Sequence, residues 1–331
     1  MPEVHFQSSW QVGQHERARA ALSTHLQQYL EANTLPHPSS EAGQQLLSWA
    51  WQLGDLDGCV QLAERWLASE QLSEVEVVSL ETRIATCLIR LGRLNEAKTG
   101  LIRLLQDHQA NDLDNIGYAH LQLGNAHRYL GNAEAARAAF TNALEHAEVK
   151  RDGGLAIASH TALGELALDE TALERAIEAL GKGLGLTEFF YDKRLTIAPL
   201  AALAHAHALW KNPAKTYDLV TRAVDRAQPT VDRVGSARAK FASATATLSR
   251  APAATITVYE FADAYEDAMV APHLPLALRI KVSELEQRAQ GVLGDTSSIL
   301  ADANELLERL RTCNMSPQVN HLTNLIGTLK S

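Results

Sequence analysis

The feature that most constrains the fold is an internal repeat of about 40 residues. Its clearest copy, HLQLGNAHRYLGNAEAARAAFTNAL, runs from His120 to Leu144, and similar copies precede and follow it. Self-similarity at this period is typical of repeat architectures. The predicted turn positions lie 38 to 43 residues apart, and they are Gly13, Gly54, Gly92, Gly131, Thr171, Asn212, Ala251 and Gly294. Eight copies at this spacing fill the chain.

The residue types that recur in each copy predict a pair of antiparallel helices. Alanine and leucine dominate the sequence, and apolar residues three and four apart make one buried stripe per helix. Glycine at the turn supplies the left-handed conformation that ends the first helix. Alanine five residues after the turn lets the two helices approach closely, and a large apolar residue four positions later fills the gap to the next hairpin. We therefore expect Phe140 to wedge between hairpins.

A single hairpin of this kind cannot bury both of its faces, so the hairpins must stack. The sequence therefore predicts an all-α fold without β-structure, a right-handed α-solenoid of about eight helical hairpins, or sixteen helices. We expect residues 1–331 to form a single superhelix. The repeats match one another best in 1–190 and are degenerate in 191–331, where 316–331 is predicted to be a solitary capping helix over the last hairpin.

The recurring residues resemble the tetratricopeptide repeat. Its pattern is followed in order by Leu123, Gly124, Gly131, Ala136, Phe140 and Ala143. The sequence departs from the family where His120 and His160 replace an aromatic residue, and the spacing exceeds the standard length of about 34 residues. Longer repeats of this kind are similar to the helical superstructures of large bacterial transcription activators and of peptide-sensing regulators. Those proteins usually carry a helix-turn-helix or ATPase module, and we expect neither here because the repeats fill the chain.

Composition and charge exclude several classes of function. The chain has 30 Lys and Arg residues against 39 Asp and Glu residues and a net charge of −9, so nucleic acid is not an expected partner. Cys59, Cys87 and Cys313 are far apart and form no CxxC motif, which predicts buried, reduced thiols. We find neither a signal peptide nor an apolar run long enough to span a membrane. These observations predict a cytoplasmic protein without a membrane partner.

Sequence motifs for catalysis are weak. The glycine-rich segment GKGLGL at 181–186 follows no strand and lacks phosphate-loop spacing, so it is interpreted as a helix end. His205 and His207 are two apart and point in different directions on a helix, whereas His120 and His127 lie about two turns, roughly 10 Å, apart. Neither pair fits a metal site. We therefore predict no cofactor, no metal and no enzymatic activity.

The binding hypothesis places the site on the inner surface, which the first helix of each hairpin lines. Arginine with tyrosine and asparagine is typical of peptide-binding surfaces. The predicted binding residues on this concave face are Arg83, Arg90, Tyr118, Asn125, Arg128, Tyr129, Glu165 and Asp169. The resemblance implies a peptide or protein segment as partner, and Arg90, Asn125 and Arg128 predict an acidic or C-terminal one. A homo-oligomer is also compatible with the sequence.

Two alternatives stay open at this point. The arginines of the inner surface lie outside the predicted buried stripe, so they are equally compatible with a merely solvated face. A second hypothesis is a small-molecule sensor or helical enzyme with a pocket inside the superhelix. The degenerate middle repeats would then supply the pocket, through Trp210, His205, Tyr191 and Phe190.

Overall fold

The computed structural model describes residues 24, 35–52, 54–68, 72–108, 115–227, 232–251, 255–292 and 295–330. Within these ranges the chain forms fifteen α-helices and no strand. The helices are α1 (Glu41–Gln52), α2 (Leu56–Leu67), α3 (Glu74–Arg90), α4 (Leu94–Asp107), α5 (Ile116–Leu130), α6 (Ala133–Lys150), α7 (Gly153–Asp169), α8 (Leu173–Leu186), α9 (Ile197–Leu209), α10 (Pro213–Ala227), α11 (Arg233–Arg250), α12 (Ile256–Val270), α13 (Leu274–Gln287), α14 (Thr296–Thr312) and α15 (Ser316–Lys330).

Consecutive helices pair as the repeat predicts. Helices α1 to α14 form seven hairpins, in the order α1–α2 to α13–α14, and α15 follows the last of them. Short 3₁₀ helices at Thr187–Phe189 and Lys193–Thr196 join α8 to α9, and a π-helical turn at Arg288–Val292 ends α13. The prediction of an all-α solenoid is confirmed. The first predicted hairpin, around Gly13, lies outside the described residues.

The turns of the hairpins follow the predicted chemistry in the first half of the chain. Gly54, Gly92 and Gly131 have φ values of 70°, 80° and 85°, a left-handed conformation that glycine adopts without steric cost. Thr171 has the same conformation, with φ 58°. In each case the second helix begins two residues later. Glycine is thus used where the backbone geometry requires it, and the fifth repeat tolerates a β-branched residue there.

The turn positions predicted for the sixth and seventh repeats are wrong. In the sixth repeat the left-handed residue is Lys211, with φ 59°, and not Asn212. In the seventh, Ala251 caps α11 with φ −141°, and α12 begins only at Ile256. The prediction misplaces both turns because neither turn contains a glycine to mark its position. The predicted eighth turn, Gly294, lies outside the described residues.

The core confirms the predicted wedge. Phe140 on α6 is fully buried in a cluster that also contains Leu121 of α5 and Leu166 of α7, so its ring lies between two hairpins. Gly124 faces this ring, and a Cβ atom at that position would overlap it. Gly164 faces Leu180 in the same way one repeat later. The glycine of the Leu-Gly pair in the first helix of these two hairpins therefore leaves space for the large residue of the second helix.

The C-terminal helices pack back onto the early repeats. One hydrophobic cluster joins Val78 of α3 and Leu101 of α4 to Leu278 of α13, Ile299 of α14 and Leu322 of α15. The predicted helix at 316–331 is present as α15. It does more than cover the last hairpin, because its buried residues belong to a core shared with α3 to α5. The superhelix therefore closes on itself within the chain.

Three hairpin turns take part in this closure. A Cβ atom placed on Gly54 would lie 2.7 Å from Pro272, one on Gly92 would lie 2.6 Å from Cys313, and one on Gly131 would lie 2.7 Å from Pro317. Since real Cβ atoms do not come this close to other atoms, the absence of a side chain at these turns lets the two ends of the chain meet.

Two further expectations concern single residues and the membrane. The three cysteines are free and buried, as predicted. Among the helices that the structure describes, none combines the length and the apolar character that a membrane span requires.

Candidate functional site

The inner helices surround a central cavity of about 490 Å³. Helices α5, α7, α9, α11 and α13 line it, and α15 closes one edge. Ligand-binding pockets in proteins usually have volumes of about 300–1,000 Å³, so the cavity has the size of a binding site. The charged and aromatic residues that line the cavity are Arg128, Tyr129, Glu165, Asp169, Glu170, His205, Arg238, Phe241, Arg279, Glu286 and His321.

Arg128 of α5 is the most buried charged residue of this cavity, with 5% of its side chain exposed. Its Nε atom donates a hydrogen bond to Asp169 Oδ2 at 2.6 Å, and its Nη1 atom donates one to Glu165 Oε2. A longer bond joins Nη2 to Asp169 Oδ1 at 3.4 Å. Both carboxylates come from α7, so the guanidinium of one repeat is held by the next.

Burial by itself disfavours each charged form in this network, but the opposite charges outweigh it. The carboxylates of Asp169 and Glu165 raise the pKa of Arg128. Arg238 and Arg128 lower the pKa of Glu165, while Arg128 and Arg279 lower that of Asp169. All of these groups are therefore charged at neutral pH.

Two more arginines bind the same carboxylates from the other side. Arg238 of α11 forms an ion pair with Glu165, with 3.1 Å between Nη1 and Oε1, and Arg279 of α13 donates a hydrogen bond from Nη2 to Asp169 Oδ1. Each keeps 22% of its side chain exposed. The network therefore links the fourth, fifth, seventh and eighth repeats across the cavity, and it helps to hold the superhelix closed.

Aromatic and histidine side chains form a less polar part of the lining. His205 of α9 packs edge-on against Phe241 of α11, with ring centroids 4.6 Å apart. Burial lowers the pKa of His205 to about 4, with the nearby Arg279 acting in the same direction. The imidazole is therefore neutral at physiological pH. Tyr129 packs edge-on against His273, at 6.1 Å.

The structure brings together half of the predicted site residues. Arg128, Tyr129, Glu165 and Asp169 all line the central cavity. The expectation that Arg128 lies outside the buried stripe is wrong, because the residue is buried and its donors are taken by Glu165 and Asp169. Replacement of Arg128 by Glu would bury three carboxylates together, so it cannot be expected to leave the fold intact.

Arg90 is also placed differently from the prediction. Its guanidinium lies 4.4 Å from the centroid of the Trp51 ring, and its Nη2 atom donates a hydrogen bond to the backbone oxygen of Ala271. Burial lowers the pKa of Arg90. Ala271 caps the C-terminus of α12, so Arg90 joins the third repeat to the end of the seventh. Its position indicates a role in closure of the superhelix.

The remaining predicted residues lie around a separate, smaller groove. Arg83 and Tyr118 line a groove of about 250 Å³ together with Trp51 and Gln122. Asn125 donates a hydrogen bond to Gln122 at 3.1 Å, so it adjoins this groove. The eight predicted residues therefore divide between the central cavity, this groove and the contact of Arg90 with Trp51.

The alternative pocket in the middle repeats is not assembled. Of its four residues, only His205 lines the central cavity. Trp210 lines a different depression beside α8, and Tyr191 is fully exposed. Phe190 lies against Gly153 at the start of α7.

The sequence contains motifs that could suggest a catalytic or metal site, and the structure shows where they lie. The segment 181–186 lies within the last turns of α8, so its glycines are helical. His120 stacks on His146, with centroids 5.6 Å apart. No group of three or more potential metal ligands exists among the residues that the structure describes.

Sequence reasoning missed Arg238 and Arg279. Both lie in degenerate repeats, where no consensus residue marks the register. The available signal is positional, because both arginines lie on first helices of hairpins and hence on the inner surface. The polar positions of α11 and α13 are therefore where such residues could have been found.

Comparison with known proteins agrees with the fold. A family model of the tetratricopeptide repeat matches residues 117–148, which is the copy with the best sequence pattern. A search of curated protein sequences finds no significant match. Residues 117–148 thus match the tetratricopeptide repeat, and the described part of the chain has an all-α helical-repeat fold.

Two solved structures illustrate the resemblance. The Rap conjugation gene regulator of the plasmid pLS20, in complex with the Phr peptide, matches with a TM-score of 0.62 at 12% identity, over 86% of this chain and 73% of that chain. A Rap protein complexed with competence and sporulation factor matches with a TM-score of 0.54 at 10% identity, over 99% of this chain and 96% of that one. At these identities the likeness concerns the fold.

Proposed function

We propose that this chain is a noncatalytic scaffold or sensor that binds a peptide or an extended protein segment in its central cavity. The observation that carries the proposal is the convergence of five inner helices on one cavity with both apolar walls and charged groups. Such a combination of apolar lining and a few polar groups is typical of ligand sites. The Rap proteins of similar fold have been solved with a Phr peptide and with competence and sporulation factor, which favours a peptide as ligand.

The chemistry of the cavity supports binding over catalysis. A general base works best when its pKa lies near the operating pH, whereas the pKa of His205 is about 4. The two carboxylates of α7 are engaged by arginines and are not available as a base. The net charge of −9 favours a peptide or protein over nucleic acid, and we propose that the chain acts in the cytoplasm.

A cavity-filling substitution tests the proposal. Ser283 of α13 lines the cavity and is half-buried, so Ser283→Trp should fill part of the space without removing a charged group. The probe is a synthetic library of random octapeptides with free C-termini, and the measurement is the amount of peptide that co-elutes with the protein in size exclusion, quantified by mass spectrometry. We expect the wild type to retain a subset of peptides and Ser283→Trp to retain at least ten times less.

The matched control is Ser249→Trp. Ser249 is exposed near the end of α11 and does not line the cavity, so this variant should retain peptides as the wild type does. Retention of no peptide by the wild type, or equal retention by Ser283→Trp, would show that the cavity is not a peptide site.

A further inference from the structure

We propose that Arg238 and Arg279 form the anchor for a carboxylate of the bound peptide, either its C-terminus or an aspartate or glutamate side chain. This inference rests on the proposed function and assigns the chemical group that the cavity recognises. It also moves the acid-binding role from the sequence-predicted arginines, Arg90 and Arg128, to two residues of the degenerate repeats.

The hydrogen bonds of the network separate the three arginines of the cavity. Arg128 is engaged by Glu165 and Asp169 through three of its five N–H groups, and only 5% of its side chain is exposed, so it is poorly accessible to a ligand. Within the part of the chain that the structure describes, Arg279 donates one hydrogen bond from a single Nη atom, and Arg238 approaches Glu165 through a single Nη atom in an ion pair. A guanidinium carries five N–H donors in a planar fork, which can bind a carboxylate through two parallel hydrogen bonds.

The two carboxylates of α7 also position these arginines. Glu165 accepts a hydrogen bond from Arg128 through one oxygen and forms an ion pair with Arg238 through the other, and Asp169 is shared between Arg128 and Arg279. The guanidinium groups of Arg238 and Arg279 are thus tethered to adjacent turns of one helix. Preorganised donors lose less conformational entropy on binding than free side chains do.

The local charge favours an anion. Three guanidinium groups face two carboxylates at the centre of the cavity, and His205 is neutral at physiological pH. The other carboxylates of the lining have their own partners. Glu170 pairs with Arg137 and Arg175, and Glu286 contacts His321, which carries a charge only when it is protonated. Within the network of Arg128, Arg238, Arg279, Glu165 and Asp169, one further carboxylate would balance the remaining positive charge.

The shape of the cavity places this anchor beside apolar walls. Phe241 lies on the same helix as Arg238, and Leu276 and Val282 lie on the same helix as Arg279, and all three line the cavity. A carboxylate held by the arginines would put the adjoining residues of a peptide against these side chains. An acidic group next to an apolar residue is thus the expected binding motif.

The test uses four octapeptide libraries that differ only in their carboxylates. One has free C-termini and includes Asp and Glu, one is amidated but includes them, one has free C-termini without them, and one is amidated and lacks them. We expect the wild type to retain at least ten times less of the last library than of the first. The middle two libraries show whether the C-terminus or a side chain supplies the carboxylate.

Variants link this preference to the two arginines. The double substitution Arg238→Gln and Arg279→Gln should reduce retention of the first library to the level of the fourth. Arg222→Gln on the outer face of α10, where Arg222 pairs with Asp218, is the control and should change nothing. Because the double substitution also removes two ion pairs that help to hold the superhelix closed, Arg279→Lys serves as a second variant. It keeps a cation beside Asp169 but lacks the fork, so it should lower retention of the first library.

The outcomes distinguish this inference from the function on which it rests. Peptide retention that Ser283→Trp abolishes but that is equal for the first and fourth libraries would overturn the carboxylate anchor and leave the cavity as a peptide site. Full retention of the first library by a folded Arg279→Lys variant and by the double variant would also overturn it. Retention of no library at all would overturn both proposals.

Discussion

Helix α6 in the fourth repeat and helix α9 in the sixth show two ways to bury a helix in this fold. In α6 the buried residues are Ala136, Ala139, Phe140, Ala143 and Ala147, which lie on one stripe of an 18-residue helix. In α9 nine of the thirteen residues are buried, and they lie on all sides. A helix with one buried stripe has a clear amphipathic pattern, whereas a helix that is surrounded by protein has none.

This difference explains why the repeat pattern is weak at α9. Helix α9 packs among α8, α10 and α11 through a cluster dominated by alanines, including Ala201, Ala204 and Ala206. Small residues let several helices approach at once, and no single large residue has to fill a gap. In α9, weak agreement with the repeat pattern thus reflects deeper burial and not loss of the hairpin fold.

The largest expected effect comes from the residue that fills the gap in the fourth repeat. Phe140→Ala should lower the free energy of unfolding by about 3–5 kcal/mol, because it removes a fully buried ring and leaves a cavity. Val220 holds the equivalent position, nine residues after the left-handed turn residue of the sixth repeat, and is only half-buried. Val220→Ala should cost about 1 kcal/mol. Chemical denaturation measures the free energy of unfolding of both variants. Equal decreases in the two variants would contradict the expected difference between the fourth and sixth repeats.

A smaller effect concerns the histidine buried within α9. The pKa of His205 is about 4 in the folded protein and about 6.5 in an unfolded chain, so between these pH values only the unfolded state takes up the proton. The free energy of unfolding should therefore fall as the pH is lowered from about 6.5 towards 4, by on the order of 2 kcal/mol from this residue. His205→Gln should remove this part of the pH dependence in denaturation curves.

Helix α9 offers its own control for this measurement. His207 is two residues away and less buried, so His207→Gln should change the pH dependence less. Burial also lowers the pKa of His120 to about 4 and the pKa of His273, so a pH dependence of the same sign persists in both variants. An unchanged slope in His205→Gln would show that this histidine is not shielded from solvent.

The smallest effect lies at the hairpin turns. Thr171 has φ 58°, which is unfavourable for a β-branched residue, and Thr171→Gly should stabilise the protein by about 0.5–1 kcal/mol once the entropy cost of glycine is subtracted. The reverse change, Gly131→Ala, should destabilise the protein, because φ is 85° and the new Cβ atom would lie 2.7 Å from Pro317. Thermal melting compares the two, and destabilisation by Thr171→Gly would show that its side chain has a role of its own.

Much of the fold could be predicted because hairpin formation is a local property. Gly54, Gly92 and Gly131 mark turns by their conformational freedom, and Phe140 marks a gap by its size. Where a turn lacks glycine, as at Lys211 and after Ala251, the predicted position of the turn is wrong by one or more residues. The candidate site was predicted in part for the same reason, since Arg128, Tyr129, Glu165 and Asp169 lie in the regular repeats.

The sequence by itself determined the repeat, the helical hairpins and the inner position of the first helices, because these depend on residues close together in the chain. Closure of the superhelix was decided by tertiary structure alone. It brings Arg279 to Asp169 and Ala271 to Arg90, residues more than a hundred positions apart, through small rotations that accumulate from repeat to repeat. These rotations leave no local pattern in the sequence. They decide that Arg128 is neutralised and buried, and that Arg238 and Arg279 face the cavity with free donors.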